Sequence, residues 1–160
     1  MPVQYIIGQW DFRDLRLKMT PPVFIPRPET EEIVELMLQQ IDIEEKMRIL
    51  EIGCGSGAIA LSLLKSLPKA NCVAIDQSKL ACELTMENAQ TYNLHDRLKV
   101  FKHKIVSKDL PEEIISGFDF IVSNPPYVPS KEMRQLAPEI KMLVKLKIYF
   151  FFSLLNKFYF

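Results

Sequence analysis

Between residues 48 and 123 the chain alternates short apolar runs with stretches of helical spacing. Arg48-Ile49-Leu50-Glu51-Ile52 meets the loop Gly53-Cys54-Gly55-Ser56-Gly57, and residues 58–67 then keep helical spacing until Pro68. That order predicts a strand, a glycine turn and a helix. Cys72-Val73-Ala74-Ile75 is a second run, ending at Asp76, and a helix over 78–92 follows with Ser78 as its cap. Leu98-Lys99-Val100-Phe101 is a third strand. Phe118-Asp119-Phe120-Ile121-Val122 is a fourth, running into Ser123-Asn124-Pro125-Pro126-Tyr127, where two prolines must end any ladder. Strands that alternate with helices predict an α/β domain with an open, mostly parallel sheet and ligands at the C-terminal strand ends.

The flanks read differently. Residues 1–28 hold Trp10, Phe12, Phe24 and five of the eleven prolines, a composition that favours a linker with a short β-hairpin over helix. The domain proper is placed at 29–140. Its first element is an amphipathic helix ending before Arg48, capped by Thr30 and continued by Ile33, Val34, Leu36, Met37, Leu38 and Ile41. Residues 141–160, KMLVKLKIYFFFSLLNKFYF, form an atypical apolar and lysine-rich tail. Its apolar runs fall far short of the roughly 20 residues a membrane helix needs, and Lys141, Lys145, Lys147 and Lys157 interrupt them, so no membrane span is expected.

Composition narrows the picture. Hydrophobic residues make up 48% and charged residues 25%, ordinary for a globular chain that buries a core. Twenty basic and twenty acidic side chains cancel, so no global field draws the chain to nucleic acid. Cys54, Cys72 and Cys82 are odd in number and form no CxxC pair, which argues for buried thiols in a reducing compartment, and no address in the sequence chooses between mitochondrial matrix and cytoplasm. The N-terminus shows neither the basic start and apolar core of a signal peptide nor the Arg- and Ser-rich pattern of a transit peptide. His95 and His103 have no carboxylate or cysteine partners at ligand spacing, and no metal is expected.

The chemistry concentrates at the strand ends. Three of the five glycines lie in 53–57, where absent β-carbons let the backbone approach a ligand at a helix N-terminus. Gly53-x-Gly55-x-x-Ala58 also satisfies the dinucleotide fingerprint, and a plain tight turn is the simpler alternative. Glu51, in an apolar strand, either orients the loop or meets a cationic amino group of the ligand, which favours S-adenosylmethionine over NAD. Asp76 stands where a carboxylate binds ribose hydroxyls; a helix-cap or turn acid is its alternative. Asn71, Asn88 and Asn93 receive no role. Asn124-Pro125-Pro126-Tyr127 is the most specific feature. An amide or exocyclic amine is a poor nucleophile because its lone pair is delocalised. The Asn124 side-chain oxygen and the Pro125 carbonyl can each accept one of its N–H groups, the prolines stiffen the turn, and Tyr127 packs on the planar group.

With these motifs in place, the chain resembles the HemK-like peptide-chain release factor glutamine N5-methyltransferases. The shared segments are Tyr5-Ile6-Ile7-Gly8, Phe24-Ile25-Pro26-Arg27-Pro28-Glu29-Thr30, the Glu51 to Gly57 loop, Asp76, Asn124 to Tyr127, and Leu136-Ala137-Pro138-Glu139, covering residues 1 to about 140. The Pro-Arg-Pro-Glu-Thr stretch separates this family from adenine methyltransferases, which share Asn-Pro-Pro-Tyr. The resemblance implies a Rossmann-like class I methyltransferase sheet with S-adenosylmethionine as cofactor. Glu51, Gly53, Cys54, Gly55, Ser56, Gly57, Asp76 and Asn124 would hold the cofactor; Asn124, Pro125, Pro126 and Tyr127 would form the catalytic clamp. The partner it implies is a class I release factor, methylated on the glutamine of its Gly-Gly-Gln loop, without direct nucleic-acid binding.

The chain departs from that pattern at both ends. Measured against the resemblance, the family's helical domain is not expected ahead of the Tyr5 segment, and the strands after Ile140 are expected to be missing or replaced, which would leave the fourth strand with an open apolar edge. Lys104 and Ile105 follow the third strand where the family often carries an acid and a larger apolar residue. Three readings follow. One is an amide N-methyltransferase, one an adenine N6-methyltransferase of DNA or RNA, and one a truncated, inactive form that keeps cofactor or release-factor binding.

Overall fold

The computed structural model describes residues 1–104, 112–115, 117–124 and 147–150. The chain opens with helix α1 (Val3–Ile7) and an antiparallel hairpin of β1 (Gln9–Phe12) and β2 (Leu15–Lys18). The hairpin matches the expectation for residues 1–28, but α1 corrects it. Pro2 stands at the N-cap with φ −57°, and Gly8 closes the helix in the left-handed region with its N–H donating to the Gln4 carbonyl. A fixed φ at one end and a glycine at the other suffice for one and a half turns.

Next come α2 (Glu29–Leu38), β3 (Met47–Ile52), α3 (Ala58–Ser66), β4 (Ala70–Asp76) and α4 (Lys79–Thr91), then a 3-10 turn at His95–Arg97 and β5 (Leu98–Lys102). The last described elements are α5 (Glu112–Ile115), β6 (Phe120–Ser123) and β7 (Lys147–Phe150). The five strands lie in the order β5-β4-β3-β6-β7, and every pair is parallel. β7 corrects the expected open edge: part of the 141–160 tail pairs with β6, from Phe120 opposite Lys147 to Ser123 opposite Phe150. The run Ile148-Tyr149-Phe150 is β-branched and aromatic, the composition that suits an extended ladder.

Alternation along each strand splits the core in two. Ile49, Cys72, Ala74, Phe120 and Val122 belong to the cluster that includes α2, α3 and the hairpin. Leu50, Val73, Ile75 and Ile121 pack on the other face with Ile114 and Phe118. Glu51 falls on the first face, beneath α3. That helix is buried from Ala58 to Leu64, which explains its almost unbroken apolar sequence. Arg97 closes its far end, donating to the carbonyl of Leu64 in its last turn and to those of Leu67 and Ala70 in the connection to β4. No helix among the described residues is long and apolar enough to cross a membrane.

Candidate active site

Sheet register assembles the site. Ile75, Ile52 and Ser123 are Cα partners across β4, β3 and β6, and the residue after each is Asp76, Gly53 or Asn124. Three motifs distant in sequence therefore leave the sheet side by side at its C-terminal end, where an α/β sheet binds ligands. The Ser123 hydroxyl donates to the Ile52 carbonyl at 3.0 Å and locks that row.

The glycine loop folds back on β4. The N–H groups of Gly53 and Cys54 donate to the Ile75 carbonyl at 2.8 and 3.1 Å, and Gly57 N–H donates to the Cys54 carbonyl at 2.8 Å. Gly53, Gly55 and Gly57 all have positive φ, at 78°, 56° and 84°. Their surroundings separate them. A β-carbon at Gly53 or Gly55 would meet nothing within 4 Å, whereas one at Gly57 would stand 3.0 Å from the Thr85 methyl on α4. Gly57 is required for packing as well as for conformation, while the other two keep bare backbone facing open space.

Glu51 is 1% exposed, and its carboxylate accepts from Ala60 N–H at 3.0 Å in the first turn of α3. Burial pushes its pKa up to about 8, with the Ala60 hydrogen bond opposing and the Asp76 charge adding to the rise. Of the two roles foreseen for Glu51, the contact present is the one that orients the loop and helix. Asp76 is half-buried and likewise works on the loop: one oxygen accepts from Gly55 N–H at 3.0 Å, the other from Ser78 N–H at 2.9 Å. Ser78 caps α4 as expected, accepting from Ala81 N–H.

Asn124 is half-buried, and its Nδ2 donates to the Thr30 hydroxyl at 2.8 Å. The expected cap role of Thr30 is corrected here. α2 starts at Glu29 with no side-chain cap, and Thr30, 5% exposed, instead faces the site. Pro125, Pro126, Tyr127 and Ile105 lie outside the described residues; Lys104 is exposed.

Two residues given no role on sequence grounds prove to hold the loop. Asn88, 1% exposed on α4, donates to the carbonyls of Ser56 at 2.9 Å and Lys18 at 3.2 Å, and accepts from Lys18 N–H at 2.8 Å. Thr85, fully buried, donates to the Gly55 carbonyl at 3.1 Å. An asparagine on the buried face of an amphipathic helix was the signal that could have marked it, because a buried amide needs partners. The cavity lined by Lys46, Arg48, Lys69, Arg97 and Lys99 lies at the opposite, N-terminal end of the strands and takes no part in this site.

A parallel sheet with a glycine loop after its middle strand, a carboxylate ending the neighbouring strand and an asparagine ending the next defines a Rossmann-like methyltransferase domain. The chain belongs to the methyltransferase small domain family, whose pattern it matches over residues 14–142. It is 50% identical over 149 residues to the human MTRF1L release factor glutamine methyltransferase, covering 88% of this chain and 44% of that protein. It is 48% identical over 127 residues to the release factor glutamine methyltransferase of Streptococcus pneumoniae, covering 79% of this chain and 43% of that one. The chain thus spans less than half the length of these curated relatives. Among solved structures, the precorrin 8w decarboxylase of Methanobacterium thermoautotrophicum superposes with a TM-score of 0.60 at 22% identity, covering 82% of this chain and 64% of that one. That likeness speaks for the fold alone.

Proposed function

We propose that this chain carries the cofactor half of an S-adenosylmethionine-dependent enzyme that methylates the glutamine side chain in the Gly-Gly-Gln loop of class I release factors. The observation that supports it most is the row Asp76, Gly53 and Asn124 at the C-terminal edge of the sheet, together with relatives that carry that name.

The residues fit the cofactor. The open space over Gly53 and Gly55 leaves room for a ligand against bare backbone. Each Asp76 oxygen accepts one backbone N–H. A carboxylate has about four acceptor positions, so lone pairs remain for ribose hydroxyls. Glu51 holds the N-terminal turn of α3 behind the loop. Bound there, the cofactor supplies an electrophilic methyl group on a sulfonium.

The rest falls to the chain. Because Nδ2 of Asn124 is committed to Thr30, its Oδ1 is the atom left to accept an N–H from the substrate amide. In this reading the Pro125 carbonyl accepts the second N–H and Tyr127 packs on the amide plane, a pair of contacts that fixes the direction of the nitrogen lone pair. No side chain need remove a proton beforehand. A clamp of acceptors would also hold an exocyclic adenine amine, and the test is a competition. Given labelled S-adenosylmethionine, a class I release factor and an adenine-containing oligonucleotide together, the chain should label the protein alone. Label on the oligonucleotide would favour the adenine reading, and cofactor binding with no label would favour the inactive form.

A further inference from the structure

The glycine loop carries a cysteine whose side chain is turned toward α4, leaving its backbone to the ligand side. Cys54 is 4% exposed, and its Sγ lies 3.4 Å from the Thr85 hydroxyl oxygen on α4. Cys82 sits three residues before Thr85, hence on the same face of α4, and is half-buried. Its Sγ lies 3.7 Å from the Asp76 carbonyl, while Cys54 N–H is bonded to the carbonyl of the preceding residue, Ile75. Both thiols thus sit at the end of β4 beside the same turn of α4, near enough to interact side chain to side chain. Cys72, the remaining cysteine, is buried in β4 with its Sγ turned to the Val73 carbonyl.

We propose that Cys54 and Cys82 are a modification site, a dithiol that hydroperoxides convert reversibly to a disulfide tying the glycine loop to α4. The roles divide by environment. The hydrogen bond from Cys54 holds Cys82 below the ordinary thiol range, and the same contact, with burial, pushes Cys54 up. Cys82 is also the more accessible, so its thiolate is the attacking group. It attacks one oxygen of the peroxide, the O–O bond breaks, and Cys82 becomes a sulfenic acid while the departing oxygen leaves as alcohol or water after taking a proton. The Cys54 sulfur then attacks the Cys82 sulfur. The S–S bond forms, and hydroxide leaves and takes the Cys54 proton as water. Two thiols have lost two hydrogens, and the peroxide has been reduced.

The bond has a consequence that rests on the cofactor reading. Forming the bond draws the two sulfurs closer than any contact between free thiols, so the loop at Cys54 and α4 at Cys82 are pulled together. Gly53 and Gly55 flank Cys54, and the bare backbone of the loop moves with it.

The test treats the 160-residue chain with hydrogen peroxide and maps the products by mass. The expected product is a Cys54–Cys82 linked peptide two hydrogens lighter than its parts, formed in the wild type and in Cys72→Ser, absent in Cys82→Ser, and reversed by dithiothreitol. A bond that involves Cys72, or oxidation of Cys82 to sulfinic acid with Cys54 untouched, would overturn the proposal. Calorimetry on the same samples reads the consequence: S-adenosylmethionine affinity should fall about tenfold or more on oxidation and return on reduction. Unchanged affinity in the linked chain would refute the coupling. A linked chain whose reduced form never bound the cofactor would defeat the cofactor reading and leave the cysteine pair established.

Discussion

The Asn124 side chain donates to the Thr30 hydroxyl at 2.8 Å across 94 residues of sequence, and this single bond decides which end of the Asn124 amide faces the site. Without it the amide could turn over and present a donor where the proposed substrate also presents donors. Thr30→Val keeps the shape and removes the acceptor. Loss of one such bond is worth on the order of 1 kcal/mol, so turnover should fall about five- to tenfold. Cofactor affinity should stay unchanged and Thr30→Ser should restore the rate. Equal losses in affinity and rate would instead mark Thr30 as a packing residue.

Gly57 should tolerate no side chain. Its φ of 84° is costly for any L-residue, and a β-carbon would meet the Thr85 methyl at 3.0 Å. Gly57→Ala should destabilise the domain by about 2–4 kcal/mol, read by denaturant titration. Adding Thr85→Ser removes the methyl and keeps the hydroxyl, and should recover part of the loss. Full additivity of the two changes would contradict the contact.

Glu51 gives the stability a pH dependence with a definite sign. Its native pKa of about 8 lies above the 4.5 of the unfolded chain, so the native state holds a proton that the unfolded state releases. That contribution is complete below about 4.5 and is lost as pH rises toward 8. Unfolding free energy should therefore fall by a few kcal/mol across that window in the wild type, and by less in Glu51→Gln. Parallel profiles for the two proteins would rule out Glu51 as the source.

Asn88 joins three parts of the chain that no sequence pattern connects. Asn88→Ala leaves Lys18 N–H and the Lys18 and Ser56 carbonyls without their partner, an expected cost of about 2–4 kcal/mol. Amide exchange should quicken in the hairpin and the glycine loop together. Faster exchange in the hairpin alone would show that Asn88 does not support the loop.

How much was legible depended on the range of the cause. The strands at Ile49, Val73, Val100 and Ile121 and the helices after Gly57 and Ser78 follow from local periodicity and capping, so their order and the C-terminal position of the site could be read directly. Glu51 could be flagged as an acid in an apolar strand, but its partner could not, because Ala60 is brought to it by the fold of the loop. Thr30 looked like a cap for a related reason: Ser, Thr, Asn and Asp side chains satisfy either local backbone or a distant partner, and only tertiary structure chooses. α1 was hidden by a proline-rich context, and the pairing of β7 by a tail whose composition resembles nothing else in the chain.

The most direct test of the central claim is the mass of the release-factor peptide that contains Gly-Gly-Gln, after incubation with S-adenosylmethionine and this chain or its Asn124→Ala variant. The account predicts one added methyl on the glutamine nitrogen with the wild type, and an unmodified peptide with Asn124→Ala although that variant still binds the cofactor. A methyl group on another residue, or equal modification by both chains, would contradict it.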